Sequence, residues 1–195
     1  MKRILCFGDS LTEGLVGGGF SNGFKPYTIR LGELLGDSYE IANYGDSGEG
    51  TKSMVSRLPE VLNGSVNFEY AFILGGTNDL CNRPVSFIVN NLQSLHDCCA
   101  SRGVKSFALA IPEMKYAGDL FENEKRISVN KALEEYANAQ KNMTYIDWAS
   151  ALPNTWIRGE DETGNWSDNI HLSAKGYTKM AELIYEQCKN KGFFV

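Results

Sequence analysis

The sequence has no long hydrophobic run. The apolar stretch nearest the N-terminus, Ile4 to Phe7, is followed at once by Gly8 and Asp9. Four residues are too few for the apolar core of a signal peptide, and no run approaches the roughly 20 residues that a membrane-spanning helix needs. We therefore expect a cytoplasmic protein without a membrane span.

Positive charge is also scarce. Lys and Arg together number 19 against 24 Asp and Glu, which gives a net charge of -5. The short basic stretches, Lys2-Arg3 and residues 189–191, lie at the ends of the chain. Nucleic acids and anionic membranes favour basic surfaces, so we expect neither as a partner. Nothing in the sequence indicates an oligomeric state.

The cysteines do not have the number or spacing of a disulfide framework. They number five, an odd count, and lie at Cys6, Cys81, Cys98, Cys99 and Cys188. Free thiols in a reducing compartment are therefore expected. The stretch from His96 to Cys99 does not predict a metal site, because neighbours on a helix point about 100° apart and no Cys-x-x-Cys is present.

The 195 residues contain no linker, repeat or low-complexity tract, and we expect one domain spanning 1–195. Five apolar, β-branched or aromatic runs predict strands at Lys2–Phe7, Tyr39–Tyr44, Phe68–Gly75, Val104–Ala110 and Met143–Trp148. Segments of helical period alternate with them. This order predicts a three-layer α/β/α fold, a flavodoxin-like doubly wound sheet of about five parallel strands.

The helical segments have recognisable ends. They are predicted at Tyr27–Leu35, Thr51–Leu62, Val85–Ala100, Leu120–Ala139 and Ser173–Cys188. Pro26 and Gly36 bracket the first, and Ser173 is a good N-cap for the last. We expect Pro59 to interrupt the second. In the fourth, Ile127, Leu133 and Tyr136 form the predicted buried stripe.

The tripeptide Gly-Asp-Ser occurs three times, ending at Ser10, Ser38 and Ser47. Each copy could be turn chemistry alone. Ser38 precedes a strand and lies at the amino edge of the predicted sheet, whereas Ser10 and Ser47 follow strands. Ligands of such sheets bind beyond the carboxyl ends of the strands. Ser10, in "FGDSLTEG", is the better candidate nucleophile.

A serine nucleophile needs a neighbouring base, and the sequence has only two histidines. His96 lies among polar residues of a predicted helix and is interpreted as a surface residue. His171 follows Asp168 by three positions, a spacing that lets the carboxylate accept from Nδ1 and leaves Nε2 for a serine. An aspartate cap with an incidental histidine is the alternative.

Glycine-rich segments follow the second and third strands. They read "NYGDSGEGT", with Gly45, Gly48 and Gly50, and "LGGTNDL", with Asn78. A glycine N–H and an asparagine amide can both donate to an oxyanion, although the same residues are common in turns.

With these residues in order, the chain resembles the SGNH hydrolases, also called the GDSL esterase/lipase family. The resemblance implies Ser10 as nucleophile, Asp168 and His171 as its partners, and an oxyanion hole formed by Ser10, Gly48 and Asn78. Gly45 is a weaker match than Gly48. Ser47 would belong to the oxyanion loop, and Asp46 should face solvent. No metal or organic cofactor is implied.

The implied activity is hydrolysis of short-chain acyl esters, as in small intracellular acetate-ester and arylesterase-type members. Candidate substrate-binding residues are Phe20, Phe24, Met114, Tyr116, Trp156 and Trp166. They could instead hold loops to the core. Carbohydrate O-deacetylation is the alternative activity, because tryptophans also stack on sugars. A flavodoxin-like flavin-binding module is a more remote alternative, which leaves Asn78, Asp168 and His171 without a role.

Overall fold

The structure is a computed structural model that describes residues 1–17, 23–115, 120–157 and 159–194, the side chains of 120–122 excepted. Five parallel strands form one sheet in the order β2-β1-β3-β4-β5. They are β1 (Lys2–Gly8), β2 (Tyr39–Gly45), β3 (Tyr70–Leu74), β4 (Lys105–Leu109) and β5 (Met143–Ile146). The predicted doubly wound fold is confirmed.

Helices cover both faces of this sheet. They are α1 (Ser10–Glu13), α2 (Tyr27–Leu35), α3 (Thr51–Leu62), α4 (Val85–Ser101), α5 (Leu120–Ala139) and α6 (Ala174–Asn190). Residues of α2 and α6 belong to one hydrophobic cluster, and residues of α3, α4 and α5 to another. Along β1, Ile4 and Cys6 enter the first cluster and Leu5 and Phe7 the second. Alternate side chains of a central strand thus fill two cores.

Three helical features differ from the sequence-based expectation. Helix α3 continues through Pro59, where the buried side chains of Met54 and Leu58 hold it against the sheet. In α5 the buried stripe is Val129, Leu133 and Ala137, while Ile127 is 56% exposed. The four-residue helix α1 is too short to leave a periodic signal.

The prediction that His96 is a surface residue is wrong. His96 is 3% exposed, and its Nδ1 lies 2.8 Å from Oγ of Ser106 on β4. Burial lowers the pKa of His96 to about 3. The polar neighbours of His96 suggested exposure, whereas β4 supplies a hydrogen-bond partner that the local sequence does not show.

Cys6, Cys98, Cys99 and Cys188 form no disulfide within the described part of the chain. No helix within the described ranges is both long and apolar enough to cross a membrane.

Candidate active site

Strand order places three loops side by side at the carboxyl edge of the sheet. Strand β1 lies between β2 and β3, and Gly8 at its end pairs with Gly45 of β2 and Leu74 of β3. Ser10 follows β1, so it emerges between the loops that follow β2 and β3. The site lies where parallel sheets of this kind bind ligands.

Helix α1 holds Ser10 as its first residue. Asp9 is the N-cap, and its Oδ1 accepts from the N–H of Leu11 at 3.0 Å. Gly14, with φ of +86°, ends the helix in the left-handed conformation that favours glycine. A Cβ at Gly8 would lie 2.1 Å from the carbonyl oxygen of Leu74, so only glycine allows this close approach.

The Asp9 side chain, adjacent to Ser10 in the chain, is fully buried. Its Oδ2 has no hydrogen-bond partner within the described part of the chain. Burial raises the pKa of Asp9 to about 7, although the N–H of Leu11 and the nearby His171 oppose that shift. Exposed aspartates lose their proton in the acid range, whereas Asp9 keeps its proton to near neutrality.

Ser10, His171 and Asp168 lie together in one hydrogen-bonded series. The Oγ of Ser10 is 3.0 Å from Nε2 of His171. Nδ1 of the same ring is 2.9 Å from Oδ2 of Asp168. The structure thus brings together the three side chains that the sequence singled out, with the geometry of a nucleophile, a base and an orienting carboxylate.

A tight turn holds Asp168 against the ring. Its Oδ1 accepts from the N–H groups of Ile170 at 2.7 Å and His171 at 2.5 Å. Burial alone would raise the pKa of Asp168, but these bonds and the one from the imidazole outweigh it and lower the pKa. A Cβ at Gly17 would lie 2.5 Å from Oδ2 of Asp168, so the chain after α1 passes directly beside this carboxylate.

The glycines after β2 have different surroundings. A Cβ at Gly45 would lie 2.0 Å from the backbone nitrogen of Glu13, and the N–H of Gly45 already donates to Oδ1 of Asn43. Gly45 is therefore needed for packing against α1. Gly48 has φ of +84° and an open Cβ position, and its N–H has no acceptor within the described residues.

Asn78 follows β3 in a short 3₁₀ turn, Thr77–Asp79. Its side chain is exposed and donates from Nδ2 to the carbonyl of Glu49 at 2.9 Å. Oδ2 of Asp79 accepts from the N–H of Thr51 at 2.7 Å. The loop after β3 thus holds the loop after β2 from one side.

Sequence reasoning missed three charged residues at this site. Glu13 accepts from both the N–H and the hydroxyl of Ser47, and Glu49 forms an ion pair with Arg57. Glu13 follows Ser10 by three positions in the same motif, the one local signal that could have identified it. Asp46 is exposed, as predicted.

The predicted substrate-binding residues are dispersed. Met114 and Trp166 are buried in the hydrophobic clusters, and Nε1 of Trp166 donates to the carbonyl of Pro153 at 3.0 Å. Trp156 packs partly buried on a cluster, and Phe24 is 39% exposed. These surroundings favour a loop-holding role for Met114 and Trp166. Phe20 and Tyr116 lie outside the described residues.

Metal-ligating side chains do not converge within the described ranges, where no group of three or more His, Cys, Asp or Glu could hold an ion.

Comparison with known families gives a match to the GDSL-like lipase/acylhydrolase family over residues 6–179. The chain belongs to this family. Membership in the GDSL-like family makes the protein a carboxylic ester hydrolase and disfavours the flavin-binding alternative. A search of curated proteins finds no match.

Solved structures share the fold over nearly the whole chain. An aryl esterase from M. smegmatis is 21% identical with a TM-score of 0.80, and the match covers 97% of this chain and 99% of that one. Est24, a carbohydrate acetylesterase from Sinorhizobium meliloti, is 21% identical with a TM-score of 0.79 over 98% and 100%. A lipolytic G-D-S-L protein from Veillonella parvula is 22% identical with a TM-score of 0.73 over 95% and 97%.

Proposed function

We propose that this GDSL-family protein hydrolyses short-chain acyl esters through an acyl-enzyme on Ser10. The observation that carries the proposal is the continuous series from Ser10 Oγ to His171 Nε2 and from Nδ1 to Asp168. A serine is a weak nucleophile until a base accepts its proton, and His171 is placed to do so.

The chemistry has two steps. Oγ of Ser10 attacks the ester carbonyl while its proton passes to Nε2 of His171. The tetrahedral intermediate then expels the alcohol, which takes that proton from Nε2. In the second step His171 deprotonates a water that attacks the acyl-enzyme, and the acid leaves as Ser10 regains its proton. Asp168 holds the imidazole in the required tautomer and stabilises the imidazolium.

Donors for the oxyanion come from the three adjacent loops. The N–H groups of Ser10 and Gly48 have no acceptor within the described residues, and one hydrogen of the Asn78 amide remains after its bond to Glu49. We assign these three donors to the negative charge that develops on the carbonyl oxygen.

A preference for short acyl groups is supported by the small apolar surface that the candidate pocket residues leave accessible. Met114 and Trp166 are held in the core, which leaves Phe24 and Trp156 as the accessible apolar surfaces among the described candidates. Carbohydrate O-acetyl esters are the second candidate, because accessible Trp156 could stack on a sugar and one structural neighbour is a carbohydrate acetylesterase.

A fluorophosphonate probe tests the nucleophile. We expect it to modify the wild-type protein at Ser10, to leave the Ser10→Ala variant unlabelled, and to label Ser38→Ala normally, since Ser38 lies at the opposite edge of the sheet. A modified peptide that maps elsewhere contradicts the assignment. Rates on p-nitrophenyl esters of increasing acyl length, compared with acetylated sugars, then separate the two substrate classes.

A further inference from the structure

We propose that Glu13, Glu49 and Arg57 are positioning residues that hold the N–H of Gly48 in place for the oxyanion. The inference depends on the function proposed above. It concerns residues that do not touch the reacting atoms and act through the loop after β2.

Arg57 on α3 joins the ends of two strands to this loop. Its Nε donates to Oε1 of Glu49 at 3.0 Å, and its Nη2 pairs with Oε2 of the same carboxylate. Nη1 donates to the carbonyl of Tyr44 at 3.1 Å, and Nη2 also reaches the carbonyl of Gly8 at 3.3 Å. One planar guanidinium therefore fixes Glu49 relative to the last residues of β1 and β2.

The Glu49–Arg57 pair is shielded from solvent. The Glu49 side chain is 6% exposed and that of Arg57 is 24% exposed. The guanidinium carbon lies 4.0 Å from the centre of the Phe7 ring. Removing one charge would leave the other buried and unpaired, which displaces the group that remains.

Glu13 holds the other side of the loop. Its carboxylate accepts from the backbone N–H of Ser47 at 3.0 Å and from the Ser47 hydroxyl. Glu13 is the last residue of α1, whose first residue is Ser10. Glu13 thereby fixes the position of Ser47 relative to the helix that carries the nucleophile.

Gly48 lies between these two held residues, and its N–H has no acceptor among the described residues. Its φ of +84° and its open Cβ position leave the neighbouring contacts to set its orientation. The carbonyl of Glu49 is further held by Asn78. A backbone bond from the N–H of Glu49 to the carbonyl of Asp46 at 3.1 Å closes the turn around Gly48. Glu13 holds this turn on one side and the Glu49–Arg57 pair holds it on the other, and together they direct the Gly48 N–H.

An oxyanion donor acts mainly in the transition state, so its misplacement should lower kcat and leave KM little changed. We expect Arg57→Met, Glu49→Gln and Glu13→Met each to lower kcat for a p-nitrophenyl ester by about 10- to 100-fold, less than full removal of a donor. Arg57→Lys keeps the positive charge but loses the planar guanidinium that donates through several nitrogens at once. The kcat of this variant should lie between those of wild type and Arg57→Met.

The matched control is Arg3→Met. Arg3 on β1 pairs with Glu40 on β2 at 2.9 Å, so it also joins these two strands, but at the amino edge and half exposed. Its kcat and KM should equal those of wild type. The double variant Arg57→Met/Glu49→Met removes both buried charges, so its melting temperature should exceed that of Arg57→Met while its kcat stays low.

A double variant that recovers kcat together with stability would show that the pair is structural only, and would overturn the inference. So would Glu49→Gln and Glu13→Met with wild-type kcat, even if Arg57→Met does not fold. Failure of the proposed function gives a different result. In that case the wild-type protein itself neither hydrolyses the ester nor takes the fluorophosphonate on Ser10.

Discussion

Oγ of Ser10 lies 3.0 Å from Nε2 of His171, although 161 positions separate the two residues in the chain. Two further long-range bonds support this approach. The hydroxyl of Tyr177 on α6 donates to the carbonyl of Leu15 at 2.8 Å, and the N–H of Gly17 donates to Oγ of Ser167 at 2.7 Å. The segment after α1 is thereby attached to the loop that carries His171 and to helix α6, which follows that loop.

Substitution of the proposed nucleophile or base should abolish most of the activity. We expect Ser10→Ala and His171→Ala each to lower kcat by about 10⁴-fold or more, and the double variant to be no slower than either single one, because the two groups act as a unit. Steady-state rates on an activated ester measure this. Ser38→Ala, in an exposed copy of the same tripeptide, is the control. Near-wild-type turnover by purified Ser10→Ala would refute the assignment.

Loss of the Asn78 amide should act on the transition state. Asn78→Ala is expected to lower kcat on the order of 10²- to 10³-fold with a small change in KM, because the amide is assigned to the developing oxyanion. Asn82→Ala, at a nearby exposed position, should leave both constants unchanged. An Asn78→Ala variant that changes only KM would assign the amide to substrate binding instead.

The two loop glycines should respond differently to a methyl group. In Gly45→Ala the new Cβ would overlap the backbone of Glu13, so we expect a large drop in melting temperature. Gly48→Ala meets no atom, and its positive φ costs only about 1–2 kcal/mol. Gly103→Ala, after α4 and before β4, has a similar φ of +73° and open space, and matches that cost at the opposite edge of the sheet.

Thermal unfolding and ester turnover of these glycine variants give the readout. Gly48→Ala should resemble Gly103→Ala in stability but be slower in catalysis. Equal melting temperatures for Gly45→Ala and Gly48→Ala would contradict the packing role of Gly45.

Asp9 should make the protein less stable as pH rises. Its pKa is raised to about 7 in the folded protein, whereas an aspartate in the unfolded chain has a pKa of about 4. Between these values the unfolded state binds fewer protons, so the free energy of unfolding contributed by Asp9 falls with increasing pH. Asp9→Asn cannot ionise and keeps an oxygen that can accept from Leu11.

Melting temperatures from pH 4 to 8 test this linkage. The difference between Asp9→Asn and wild type should grow in favour of the variant across that range and level off above the folded pKa. Asp37→Asn, exposed in the second Gly-Asp-Ser copy, is the control and should show no such trend. A constant difference for Asp9→Asn would show that the carboxyl is already ionised at low pH.

Local patterns in the sequence were sufficient for the architecture. Every strand was a short apolar run bounded by turn residues, and helix α2 lies where Pro26 and Gly36 placed its ends. Asp168 and His171 are three positions apart, so a single turn closes their contact. Features of this kind are predictable because the interacting groups are neighbours in the chain.

Tertiary structure alone decided the features that depend on distant partners. His96 is buried because β4 offers Ser106, and Ile127 is exposed because α5 turns Val129 and Leu133 toward the sheet. The sequence by itself determined the doubly wound fold and the candidate nucleophile, base and carboxylate. Only the packing of α1 and α3 around the loop after β2 revealed Glu13, Glu49 and Arg57, since their partners are set by strand order and not by spacing along the chain.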